Sequence, residues 1–156
     1  MNLELQFLRA KKEDLKFIIE LLIEDELGKS REKLNDNSLK NYLNAFNLIE
    51  KDENQSLMVV KNGSNEIVAT CHLTTMPSLT YQGLTRLNIE AVRVSAKFRG
   101  KNIGTWMFQK IFEFGKEKGI VVFQLTTNKK RNKAKLFYEK LGFQATHEGM
   151  KLNFIN

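Results

Sequence analysis

The segment Phe98–Phe108, FRGKNIGTWMF, sets two glycines among basic and polar residues and then runs into apolar and aromatic ones. A helix that begins here leaves its first amides without intrahelical partners, and its N-terminal end is electropositive. Glycines at such a junction permit unusual dihedrals and let a phosphate approach the backbone closely. Arg99 and Lys101 would add charge-assisted contacts from the flanks. Gly100 and Gly104 form GxxxG, so the segment is neither a P-loop, GxxxxGK[ST], nor a dinucleotide-binding GxGxxG. Taken alone, it serves equally as an anion cradle or as a polar helix start whose glycines allow tight packing.

A cradle of this kind needs a strand before it and a helix behind it. Asn88–Val94 reads as that strand, Ser95–Phe98 as a turn, and Ile103–Lys118 as a helix stopped at Gly119. Upstream, Leu3–Leu8 reads as a short strand. Leu15, Ile18, Ile19 and Leu22 fall at helical spacing and predict a helix over Lys12–Glu26. After a polar connection, Gly28–Asn37, a second amphipathic helix is expected over Ser38–Glu50, capped by Ser38 or Asn37. The period then changes. SLMVVK, NEIVATCHLTTM and TRLNIEAVRVS are β-branched runs, with a hairpin turn at Asn62–Asn65 and a loop over Pro77–Gly83. IVVFQLTT predicts a further strand and RNKAKLFYEKL a short helix closed by Gly142. FQATHE and MKLNFI predict two terminal strands.

The order β-α-α-β-β-β-α-β-α-β-β describes a mixed α/β fold with an antiparallel first half. A right-handed crossover within Glu90–Thr127 makes the two strands of that unit parallel neighbours.

At 156 residues, 42% of them hydrophobic and 28% charged, the chain suits one soluble globular unit. Lysine and arginine number 25 against 18 aspartates and glutamates, a formal charge of +7 that favours anionic partners without naming one. Cys71, the single cysteine, lies in an apolar run and reads as a buried free thiol. His72 and His147 stand far apart in no metal-ligand spacing, so no metal site is expected. The N-terminus has no apolar core of signal-peptide kind, and no stretch has the length to span a bilayer. A cytoplasmic protein is expected.

VRVSAKFRGKNIG, ending at Gly104, resembles the acetyl-CoA-binding motif of the GNAT superfamily of N-acetyltransferases, Q/R-x-x-G-x-G/A. Arg99 takes the opening position and Gly100 and Lys101 the variable pair. Asn102 stands where the first glycine is usual, Ile103 is variable, and Gly104 closes the motif. AKLFYEKLGF, Ala134–Phe143, resembles the same superfamily's AxxLYxxLGF signature. Two motifs in the right order, one strand apart, are a far stronger signal than either alone.

The resemblance implies a single N-acetyltransferase domain over residues 1–156, with a mostly antiparallel central sheet, one parallel, splayed strand pair and flanking helices. It implies acetyl-CoA as cosubstrate, its pyrophosphate on the amides of Arg99–Gly104 and its pantetheine on the strand edge at Val92 and Val94. Tyr138 matches the tyrosine that protonates the departing sulfur, against the alternative of an aromatic that only packs. Strand alternation sets Asn88, Glu90, Val92 and Val94 on one face and Arg93 on the other. Glu90 is then the candidate base for the amine, or a substrate contact. Arg131 takes the position of a usual asparagine and would reach cofactor phosphate, while Asn132 would cap the following helix. The acceptor is expected to be a primary amine, a small molecule ahead of a peptide. Glu24, Asp25 and Glu26 would attract a cation if they line the groove.

Two rivals remain at this stage. One is a noncatalytic acyl-CoA sensor. The other is a basic nucleic-acid-binding module using the run Lys129–Lys135, for which no accompanying motif is present. The terminal MKLNFIN offers a strand edge through which a homodimer would form, unless that strand completes the chain's own sheet and leaves a monomer.

Overall fold

Strands form where β-branched residues cluster, and they pair in chain order. The computed structural model describes residues 4–154, apart from the side chain of Glu26. Leu3 and Ile155, at the outer ends of two expected strands, lie outside the described residues. Strands β1 (Gln6–Arg9), β2 (Gln55–Lys61), β3 (Ile67–Met76), β4 (Arg86–Val94) and β5 (Val122–Leu125) make one sheet, in the order β1-β2-β3-β4-β5. The first four run antiparallel, and β4 and β5 run parallel. The mixed α/β fold with one parallel pair therefore stands as the sequence predicts.

Helices cover both faces of this sheet. They are α1 (Leu15–Ile23), α2 (Glu26–Lys29), α3 (Asp36–Lys51), the single turn α4 (Thr80–Gly83), α5 (Ile103–Glu117) and α6 (Asn132–Lys140). On one face Val60, Ala69, Cys71, Leu73, Leu87 and Ile89 pack against Ile103, Met107, Phe108 and Ile111 of α5. Phe108 is the hub of that core. Its ring meets Phe112, Phe137, Tyr138 and Phe143 edge-on at 5.7–5.9 Å, an arrangement that suits the aromatic quadrupole. On the other face Val59 packs with Leu15, Ile18 and Ile19 of α1 and Phe46 of α3. Buried Asp14, just before α1, pairs with Lys61 Nζ of β2 at 2.8 Å and so fixes α1 to the sheet.

Three expectations change. The helix expected over Lys12–Glu26 is broken, because Asp25 is extended (φ −89°, ψ 142°) and caps α2 by accepting from the Gly28 amide. Helix α3 begins earlier than expected, capped by Asn35 and not by Ser38 or Asn37. Asn35 Oδ1 accepts from the Ser38 amide and Ser38 Oγ from the Asn35 amide, each at 3.0 Å, a reciprocal box that satisfies two otherwise orphaned donors.

The third change is at the C-terminus, where neither FQATHE nor MKLNFI forms a strand among the described residues. Phe143 is drawn onto the aromatic core, and the outer edge of β5 is left without a strand partner among the described residues. Met150, Leu152 and Phe154 alternate with polar residues along an exposed segment without regular structure. Alternation is a strand pattern only when another edge receives it.

Candidate active site

Strands β4 and β5 pair from Arg86 opposite Val122 to Ile89 opposite Leu125, and no further. Residues 90–94 continue along β3 alone, so their other edge is open. Within that stretch lies a β-bulge. Thr70 stands opposite Arg93 and His72 opposite Glu90, which leaves Cys71 facing both Ala91 and Val92. Ala91 takes a left-handed φ of 51° to accommodate the extra residue. Such a conformation costs an alanine about 1–3 kcal/mol, and backbone strain of this kind clusters at functional sites.

The bulge reverses the alternation. Val92 and Val94 join Leu87 and Ile89 on the core face beneath α5, whereas Asn88, Glu90 and Arg93 share the opposite face. The expected grouping of Glu90 with Val92 and Val94, and the separation of Arg93 from Glu90, are both overturned. No glycine marks the bulge, so strict period-2 reading ran through it.

Beyond β4 the chain makes a 3₁₀ turn, Ala96–Phe98, and enters α5. Gly100 is left-handed at φ 78°, and Asn102 is left-handed at φ 59° in the N-cap position, where its side chain makes no capping bond. Asparagine is among the few non-glycine residues that tolerate this conformation, which explains how it replaces the motif's usual glycine. The amides that open α5 are left unpaired within the helix. Arg99 and Lys101 are exposed beside them, and the Lys101 ammonium lies 5.1 Å from the Phe98 ring centre. The Ile103 side chain is core, so that residue offers only its backbone. A Cβ on Gly104 would sit 3.2 Å from Phe137 Cζ and 3.8 Å from Val94 Cγ2. Gly104 is thus small because α5, α6 and β4 meet there.

The open edge already meets arginines of its own chain. Arg93 Nη1 donates to the Val92 carbonyl at 2.7 Å, and Arg99 Nε to the Val94 carbonyl at 3.3 Å. Asp25 joins the α1–α2 junction to β4 and α6: its Oδ2 pairs with Arg131 Nη2, stands 3.5 Å from Arg93 Nη2 and accepts from the Gly28 amide at 3.2 Å. Glu24 accepts from the Ala96 amide at 2.8 Å. These two carboxylates are therefore committed to the chain's own donors and do not form a free cation-attracting pair. The side chain of Glu26 lies outside the described residues. Arg131 occupies the N-cap position of α6 with no side-chain capping bond, and Asn132 is the first helical residue, so the expected Asn132 cap does not form.

Tyr138 projects from α6 against Phe108, Phe137 and Phe143. Burial raises its phenol above the ordinary tyrosine value, opposed by the charges of Arg131 and Arg93. It is electrostatically joined to the arginine pair, while Glu90 is joined to His72. Burial holds the His72 imidazole below its ordinary value, with Glu90 opposing. His72 Nε2 is buried with no hydrogen-bond partner among the described residues. Burial pushes the Cys71 thiol strongly upward, which removes it as a nucleophile.

A separate cavity of about 470 Å³ opens along α1 and reaches Ser95, just past the end of β4. Of its five acids, Asp14, Glu24 and Glu66 are engaged by Lys61, the Ala96 amide and Lys97, and Glu13 and Glu20 line it as well. Among the described residues no group of metal-ligating side chains occurs, and no helix is long and apolar enough to cross a membrane.

The Acetyltransferase (GNAT) family profile matches residues 15–143. A transcriptional regulator from Bacillus halodurans C-125 is 41% identical, with a TM-score of 0.91, over 96% of this chain and 99% of that one. An acetyltransferase from Trypanosoma brucei is 26% identical, with a TM-score of 0.72, over 96% and 99% of the two chains. A predicted acetyltransferase from Clostridium acetobutylicum, solved with acetyl-CoA, shares the fold at 21% identity, with a TM-score of 0.73 over 97% of each chain. No curated protein matches the sequence.

Proposed function

This chain belongs to the GNAT family of acetyltransferases and uses acetyl-CoA as cosubstrate, and from that premise we propose that its acceptor is a small primary amine, acetylated directly by a single domain. In the reaction a bond forms between the amine nitrogen and the acetyl carbon as the carbon–sulfur bond breaks. The amine gives up one proton and the departing sulfur takes one. The observation that carries the reading is the open edge of β4, which leads straight into the unpaired amides at the start of α5.

Residues 99–104 hold the pyrophosphate through backbone amides, aided by the Arg99 and Lys101 charges. Backbone groups of Val92 and Val94 pair with the pantetheine amides, and the Val94 amide polarises the acyl carbonyl. Exposed Asn132 flanks the same path at the start of α6. Tyr138 donates the proton to sulfur, and Glu90 receives the proton of the amine. Incubation with acetyl-CoA and a panel of polyamines, amino acids, aminoglycosides and short peptides tests this reading, by thiol release and by product mass. Product that needs both protein and a small amine supports it. Acetylation of peptides alone overturns the acceptor class.

Glu90→Gln is expected to lower turnover by about tenfold or more at low pH, and by less at high pH, where more of the amine is already neutral. The sign follows from the role, since a base matters most while the amine holds its proton. A loss that is flat with pH would make Glu90 a positioning contact.

The proposal extends to a homodimer. Met150 and Phe154 are 93% and 92% exposed, and the outer edge of β5 has no strand beside it among the described residues. Exchange of the alternating segment across a two-fold axis would cover both. Light scattering should give the mass of two chains, and a single-chain mass throughout a concentration series would reject the dimer.

The Bacillus halodurans relative's description as a transcriptional regulator favours a second reading, regulation through nucleic acid bound at the Lys129–Lys135 run. Arg131 of that run is turned inward to Asp25 and Lys135 lies 3.7 Å from Glu139, which weakens the surface. Duplex binding that falls steeply with salt would support it.

A further inference from the structure

Two arginines meet one carboxylate where β4, α6 and the α1–α2 junction come together, and a third lies near them. Asp25 pairs with Arg131 and Arg93, but it also caps α2, so three donors share the single oxygen Oδ2. Arg93 Nε is buried with no hydrogen-bond partner among the described residues. The third arginine, Arg31, is near enough for Arg93 to feel its charge, and its own Nε is held at 3.0 Å by the Leu27 carbonyl. Arg93 is depressed first by burial and then by the charge of Arg131, with Asp25 opposing. A half-buried guanidinium with a free N–H, facing a surplus of like charge, is matched by an oxyanion that enters from outside.

The cofactor's pyrophosphate is a poor candidate for that anion. Its cradle at residues 99–104 follows the end of β4 and enters α5, on the sheet face of Val92 and Val94, whereas the bulge turns Arg93 to the opposite face with Glu90. That opposite face presents guanidinium groups at one position and the Glu90 carboxylate, paired across the strands with His72, a few residues away. An ammonium group and an oxyanion on one small molecule would complement both.

We propose that the acceptor amine carries an oxyanion of its own, a carboxylate or phosphate, which Arg93 and Arg131 hold while the amine lies towards Glu90. The proposal rests on the reading of this chain as an amine acetyltransferase. Arg131 thereby serves the acceptor in place of the cofactor phosphate. Asp25 is the internal stand-in, holding the two guanidiniums until the acceptor's anion shares or displaces it. The Arg131 position matters because it starts α6, the helix that carries Tyr138, so acceptor binding and the proposed proton donor are mechanically adjacent.

The experiment compares matched acceptors on the wild-type enzyme: amino acids against their amides, phosphorylated amines against their dephosphorylated forms, and cationic polyamines. The anionic member of each productive pair is expected to have a kcat/KM higher by about ten- to a hundredfold, the worth of a charge-assisted contact. The carboxylate and phosphate arms tell which oxyanion is used. Arg93→Met should erase that preference mainly through KM, with calorimetric acetyl-CoA affinity altered far less because Arg93 meets the cofactor edge only at the Val92 carbonyl, and Arg93→Lys should restore part of the preference. Equal or better use of amides, dephosphorylated amines or polyamines by the wild type overturns the oxyanion and leaves the acetyltransferase reading intact. Bound acetyl-CoA with no product from any amine overturns that reading, and the oxyanion with it.

Discussion

Tyr138→Phe is expected to lower turnover by about a hundredfold or more, the usual worth of a placed general acid, with acetyl-CoA affinity almost unchanged. The substitution removes one hydroxyl and keeps the ring that packs on Phe108 at 5.7 Å and on Phe143 at 6.1 Å. The fold should therefore survive, and a thermal melt near that of the wild type will check it.

The same role fixes a pH dependence. A proton donor must hold its proton, so the contribution of Tyr138 is lost as pH rises through the phenol's titration. Burial raises that titration above the ordinary value and outweighs the two arginines that lower it. The wild type should thus keep the donor charged with its proton across neutral pH, and its alkaline decline should vanish in Tyr138→Phe. Equal turnover in the two proteins at every pH would leave Tyr138 as packing alone. A loss confined to KM would reassign it to acceptor binding.

Much of this site was legible in the sequence, and most of the failures share one cause. Local signals found most of the element order, the junction at Arg99–Gly104 and the motif around Tyr138, because glycines and helical spacing are properties of short windows, although the caps of α3 and α6 fall one to three residues from their expected positions. What escaped were features set by partners distant in the chain. The bulge at Ala91 exists because β3 and β4 pair with an extra residue on one side, and alanine gives no warning of a left-handed turn. Its consequence is that Arg93, expected on the opposite face, shares the sheet face of Glu90 and so enters the proposal for the acceptor. Asp25 was read for its charge, but its backbone breaks the first helix and its side chain spans to Arg131, 106 positions away. The terminal strands failed in the opposite sense. Their alternation is real, but no edge within the described chain receives it.

The cradle prediction needs a substitution that separates charge from packing. Gly104→Asp combines the two, because its Cβ would press on Phe137 at 3.2 Å, so a loss of binding would not reveal its origin. Arg99 and Lys101 are exposed and, among the described residues, meet a carbonyl and a ring face. The double change Arg99→Glu with Lys101→Glu therefore alters the field at the start of α5 and leaves the backbone path of Gly100 and Asn102 in place. We expect calorimetric acetyl-CoA affinity to fall by about a hundredfold, or roughly 2.7 kcal/mol. Because both side chains are in water, added salt should narrow the gap between variant and wild type as the screening length falls from about 10 Å at 0.1 M to about 3 Å at 1 M. The residual affinity at high salt then reports what the backbone amides and the β4 edge supply without the two charges. An affinity that does not change in the folded double variant would move the pyrophosphate off this junction. A loss indifferent to salt would mean that the two residues shape the loop instead of attracting the anion.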